Sequence, residues 1–100
     1  PQVYLQVLDV LALEPTQCLA FEDSYNGLTA ALSAGIPPLI TPTVFTAGQD
    51  FSGAVEVVSG LGEFGQALPQ RIRPESHDTI DVVDLPVLQF WHQRYINQFF

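Results

Sequence analysis

The chain contains no methionine and no lysine, and its arginines are confined to Arg71, Arg73 and Arg94. Residues 1–70 therefore hold neither Lys nor Arg, while the whole chain sets 11 acidic residues against those three cations, for a net charge of −8. A nucleic-acid surface needs basic side chains facing phosphates, so that class of function is close to excluded. An anionic membrane surface is disfavoured on the same ground. The one cysteine, Cys18, cannot form an internal disulfide and sits inside an apolar run. It reads as a small core residue in a reducing, cytoplasmic setting. No apolar run has the length of a membrane span, and no basic segment leads a signal-like core. The lack of an initiator, with an opening (PQVYLQVLDVLAL) already inside helix-like sequence, leads us to expect a fragment of a longer protein.

What is present describes one small globular unit. Hydrophobic residues make up 47% of the 100 and mean hydropathy is +0.21, which excludes a disordered chain. Residues 2–13 place Val3, Val7, Val10 and Leu11 at helical spacing, with Tyr4 and Leu8 beside them, and predict a wide buried stripe ended by Pro15. CLAF (18–21) does not alternate and reads as a short strand buried on both faces. A helix is expected over 24–33, with Leu28, Ala31 and Leu32 inward and Gly35 as its stop. IPPLIT (36–41) is a second strand, whose prolines suggest an edge or an entry, and VEVV (55–58) is a candidate third.

Strand, helix and strand in this order form a βαβ unit with parallel strands, hence an α/β fold. Residues 1–68 constitute that portion. The polar, proline-bearing stretch 69–83 reads as a linker, and 84–100 as an amphipathic helix with Asp84 as N-cap and Pro86 in the first turn. Leu88, Trp91, Tyr95 and Phe99 share one face of it. This helix either packs on the α/β layer or serves as an interaction helix for a partner.

The residues that bear chemistry are Glu22 and Asp23, in FEDSYNG. They stand at the carboxyl end of the first predicted strand, where open α/β sheets place their ligands. Two carboxylates at such a position attract a hard cation such as Mg²⁺, which takes oxygen ligands and neutralises phosphate. The plainer reading makes Asp23 or Ser24 a helix cap and leaves Glu22 solvated. Spacing alone leaves both open.

The ordered run FEDSYNGLTAALSAG followed by IPPLITP resembles the fourth motif of haloacid dehalogenase-like (HAD) hydrolases. Within them it looks like the β-phosphoglucomutase-like and CbbY-like sugar-phosphate enzymes. Glu22, Asp23, Ser24, Gly27, Ala34 and Gly35 fill the positions of the family's E-D-S-x-x-G and A-G pattern, and a weaker likeness runs on through TPTVFTAGQDFSGAVEVV. The resemblance implies the C-terminal part of a Rossmann-like, three-layer α/β core with parallel strands, plus the terminal helix. It implies Mg²⁺ as cofactor, with Asp23 as first metal ligand and Glu22 as second. Ser24 would cap or order the turn, and Gly27 would be structural. The implied reaction is attack of an aspartate on a phosphorylated sugar, ending in hydrolysis or in phosphoryl return.

The nucleophilic D-x-D is nowhere in the sequence, and the phosphate-binding Ser/Thr and the lysine of K-P-x-P would precede Pro1. No catalytic residue is therefore assigned within the chain, which is expected to be inert alone, with an unpaired outer side on CLAF. The alternative is a small acidic α/β module that binds a partner through its aromatic helix. Other polar residues are read as bland. His77 and Asp78 are a loop pair, His92 a helix-face histidine and Asp50 a turn residue. Thr41 and Thr43 are taken as turn formers, and Asp9 and Glu14 as solvent-facing.

Overall fold

The computed structural model describes residues 1–61 and 83–100. Helix α1 (Gln2–Leu11) is followed by a 3-10 turn at Pro15–Gln17, strand β1 (Ala20–Glu22) and helix α2 (Tyr25–Ser33). Strands β2 (Pro38–Ile40) and β3 (Glu56–Val57) and helix α3 (Leu85–Phe99) complete the described elements. The strands form one parallel sheet in the order β1-β2-β3, with Phe21 opposite Leu39 and Ile40 opposite Val57. The α/β class and the parallel βαβ unit are as expected.

Side-chain alternation along the strands sends neighbours to opposite faces. Ile40 and Val57 join Leu28 of α2, whereas Leu39 joins Trp91 and Tyr95 of α3. Glu56, the register partner of Leu39, meets Arg94 of α3. The sheet therefore lies between α2 and α3 in three layers, and β2, buried along its whole length, is a continuous apolar run. Trp91 and Tyr95 are buried, so α3 packs on the sheet. Its cap is as read, with Asp84 accepting from the Val87 amide. Phe99 is exposed, though its ring lies 4.8 Å from that of Tyr95.

Several expectations need correction. Of the two readings of the prolines in β2, the entry holds and the edge does not, for β2 is central among the described strands. Pro38 occupies its first position, where no ladder donor is required. The Pro37 carbonyl accepts from Ala20 on one side and the Pro38 carbonyl from Val55 on the other. The buried side of α1 is Leu8 with Tyr4, set against Ala20, Ala31, Ala34 and Ile36. Val3, Val7, Val10 and Leu11 are exposed instead. So much of α1 is apolar that periodicity does not single out one stripe, and the small alanines of α2 admit Tyr4 and Leu8. Helix α1 also ends at Leu11, with Ala12 in the left-handed region, and Pro15 opens the 3-10 turn.

Strand β1 begins at Ala20, two residues later than CLAF, and it is not buried on both faces, because Phe21 is half exposed. Among the described residues it pairs only with β2. Leu32 is partly exposed, while Leu28 and Ala31 point inward as read. Gly35, at φ 78°, takes the left-handed conformation that stops α2. The expected linker falls almost wholly on residues outside the described ones.

Candidate metal-binding edge

The parallel sheet brings the ends of β1 and β2 to one edge. Glu22 closes β1, Asp23 and Ser24 form the turn, and α2 starts at Tyr25. The ladder continues one step past the strands, where the Thr41 amide donates to the Glu22 carbonyl at 2.9 Å. Residues 41–50 then loop back toward the acidic turn.

The two adjacent acids have different surroundings. Glu22 is half-buried, and its Oε1 accepts from the Tyr4 hydroxyl of α1. Burial, and then the neighbouring Glu22 carboxylate, push the Tyr4 hydroxyl well above its ordinary pKa, because both disfavour the phenolate. The other oxygen of Glu22 lies over the first turn of α2, and a Cβ placed on Gly27 would stand 2.0 Å from it. Gly27 thus makes room for this carboxylate specifically, which gives its absent side chain a concrete reason. Asp23 is exposed, and its carboxylate has no hydrogen bond among the described residues.

Ser24 is the N-cap of α2, its Oγ accepting from the Gly27 amide at 3.1 Å. The Tyr25 amide donates to Oε1 of Gln49 at 2.7 Å. Two of the amides that a helix start leaves unpaired are therefore already engaged, and α2 does not offer them to an anion. Thr46 Oγ1 donates to the Asp23 carbonyl at 2.6 Å. An open cleft of about 380 Å³ lies beside the turn, lined by Ser24, Tyr25, Asn26, Gln49 and Asp50. Asp50 is a turn residue as read. It accepts from the amide and hydroxyl of Ser52, and these bonds hold its pKa below the ordinary value.

Glu22 and Asp23 supply hard oxygen donors, the type that suits Mg²⁺. Among the described residues no group of three or more His, Cys, Asp or Glu side chains gathers to hold a metal. The donor chemistry is of the kind a divalent cation takes. Arg94 is engaged with Glu56 in the α3 layer. His77 and Asp78 lie outside the described residues, and His92 is partly buried on α3 as expected. Asp9 and Glu14 are exposed.

Sequence reading missed Tyr4, Thr46 and Gln49. Tyr4 gave no signal, since a tyrosine on an apolar helix reads as packing. Thr46 and Gln49 lie in a polar loop after β2, where nothing local points to the acidic turn some 23 residues earlier.

In sequence and fold the chain is a homologue of part of the CbbY-like, haloacid dehalogenase-like hydrolases. It is 47% identical over 92 residues to the plasmid protein CbbY of Cupriavidus necator, a match spanning 92% of this chain and 35% of that protein. It is 37% identical over 68 residues to the putative phosphatase YhcW of Bacillus subtilis, spanning 68% of this chain and 31% of that protein. The crystal structure of a CbbY mutant from Rhodobacter sphaeroides in complex with xylulose-(1,5)bisphosphate matches with TM-score 0.58 at 35% identity. That match covers 60% of this chain and 27% of the other. No protein-family model matches the chain. The chain thus spans about a third of the length of these curated relatives.

Proposed function

We propose that this chain contributes the acidic metal-binding edge of a Mg²⁺-dependent phosphatase or phosphomutase that acts on a phosphorylated sugar. The observation that carries the reading is the placement of Glu22 and Asp23 at the carboxyl end of β1, on the edge where α/β sheets bind ligands. It is supported by homology to a CbbY whose structure holds a sugar bisphosphate.

Asp23, exposed at the turn, is the first metal ligand, and Glu22, steadied by Tyr4, is the second. When bound, Mg²⁺ neutralises phosphate oxygens and orients them for transfer. Two carboxylates by themselves repel a phosphate dianion, and residues 1–70 contain no Lys or Arg to offset them. The nucleophilic aspartate, the phosphate-binding Ser/Thr and the lysine are accordingly assigned to parts of the protein other than residues 1–100, and this chain alone is inactive. Residues 1–68 are assigned to the C-terminal portion of the HAD-like core, and 84–100 to the helix α3 that packs on it. The rival reading, a binding module working through its aromatic helix, is weakened because Trp91 and Tyr95 are buried against the sheet.

The test is Asp23→Asn in the full-length protein, assayed by Mg²⁺-dependent release of phosphate from sugar phosphates. Loss of a direct metal ligand should exceed the 10–100-fold cost typical of groups one step removed from a metal, so activity should fall by at least about 100-fold. Unchanged turnover would remove the assignment.

A further inference from the structure

Among the described residues, no hydrogen bond holds the carboxylate assigned as first metal ligand. Asp23 sits at a strand-to-helix turn, exposed, so its direction depends on how its backbone is fixed. That backbone is tied from outside the turn. Thr46 Oγ1 reaches the Asp23 carbonyl at 2.6 Å, and Gln49 Oε1 takes the Tyr25 amide at 2.7 Å. Both come from the loop that follows β2, so one loop grips the acidic turn on either side of Ser24.

The hydrogen-bond inventory of a hydroxyl gives the grip a direction. A threonine hydroxyl has one donor and two acceptor sites. The Thr46 proton is committed to the Asp23 carbonyl, so Thr46 Oγ1 can only accept from Thr43, whose amide lies at 2.8 Å and whose Oγ1 lies at 3.2 Å. The Thr43 hydroxyl is thereby the donor to Thr46, and it accepts in turn from the Phe45 amide at 3.1 Å. Phe45 N–H, Thr43 O–H and Thr46 O–H form one chain of hydrogen bonds that ends on Asp23. Bonds aligned in this way polarise one another, and each fixes the next.

We infer that Thr46, assisted by Gln49, is a positioning residue for Asp23, holding its backbone so that the carboxylate faces a divalent cation. The inference rests on the reading of Asp23 as a metal ligand. It requires no contact between Thr46 and the metal. Groups that orient a metal ligand typically alter affinity by about 10–100-fold when removed.

The test measures Mn²⁺ binding to the full-length protein by electron paramagnetic resonance, alongside thermal unfolding. Thr46→Val keeps the side-chain shape and deletes the hydroxyl. It should raise the Mn²⁺ Kd about 10-fold, and Thr46→Ser should restore parental binding. Gln49→Met should weaken binding in the same direction. Asp23→Asn, measured in parallel, should abolish binding. If Asp23→Asn abolishes binding while folded Thr46→Val and Gln49→Met bind Mn²⁺ as the parent does, this inference fails and the metal site stands. If Asp23→Asn leaves binding unchanged, the metal site itself fails. Loss of cooperative unfolding in both Thr46→Val and Gln49→Met would assign the loop a purely structural role and also overturn the inference.

Discussion

Two carboxylate sites in this molecule receive opposite treatment. Glu56 in β3 is 1% exposed, and Arg94 of α3 reaches its Oε1 at 2.6 Å. It lies in register with the buried Leu39 of β2. The pair Glu22 and Asp23 stands at the open edge of β1 with no Lys or Arg among the first 70 residues. Its neighbours are a tyrosine hydroxyl, a glycine and a threonine-bearing loop. A carboxylate that serves the fold must have its charge compensated within the fold, because burial in low dielectric is otherwise too costly. A carboxylate at the edge can keep its charge for something brought from outside.

The contrast makes the largest difference in stability. Arg94→Met removes the cation from a buried carboxylate and should cost about 3 kcal/mol, the low end for breaking such a pair, because the arginine is itself partly exposed. Converting Glu56 to Leu in the same chain should recover most of the loss, since apolar replacement of a buried pair is often close to neutral. Denaturant unfolding measures both. Equal destabilisation by the single and double variants would show that the ion pair does not govern this corner.

A smaller effect separates fold from site at the other carboxylate. Gly27→Ala should change stability by no more than about 1 kcal/mol, because alanine favours the helix by about that amount while its Cβ only has to displace the end of the Glu22 side chain. Metal affinity should fall nonetheless, as the Glu22 carboxylate is driven off the first turn of α2. Thermal melting and Mn²⁺ titration of one preparation read the two quantities. Unaltered affinity would mean that the position of Glu22 is immaterial to the site.

The smallest effect is a pH dependence. The folded-state pKa of Tyr4 is raised, so its contribution to stability is complete below the unfolded value of about 10 and is lost as pH rises through the higher folded value. The chain has no lysine to titrate in that range. Melting temperature should therefore decline above about pH 10, and Tyr4→Phe should flatten the decline. An identical slope in the variant would place the alkaline sensitivity elsewhere.

How far residues alone carried the reading varies along the chain. The turn at Glu22–Ser24, the α2 cap and the Gly35 stop were legible because they depend on local chemistry: a side-chain oxygen within reach of an amide, or a backbone angle that suits glycine. The packing of α1 was not legible. Val3, Val7 and Val10 match a buried stripe as well as Tyr4 and Leu8 do, and only the small surface of α2 chooses between them. The central place of β2 was hidden for a related reason, since its prolines lack donors but their carbonyls serve both neighbours.

The sequence by itself determined the net charge, the parallel βαβ order and the location of two acids at a strand end, because composition and short-range pattern suffice for these. It also marked Asp84 and Pro86 as the start of α3. Tertiary structure alone decided that Arg94 belongs to Glu56, 38 residues away. It alone decided that Tyr4 serves Glu22 and that Thr46 and Gln49 hold the turn containing Asp23. Those partners lie at sequence separations where no local rule reaches: α3 on the sheet face brings Arg94 to Glu56, α1 brings Tyr4 to Glu22, and the loop after β2 returns Thr46 and Gln49 to the turn at the strand ends.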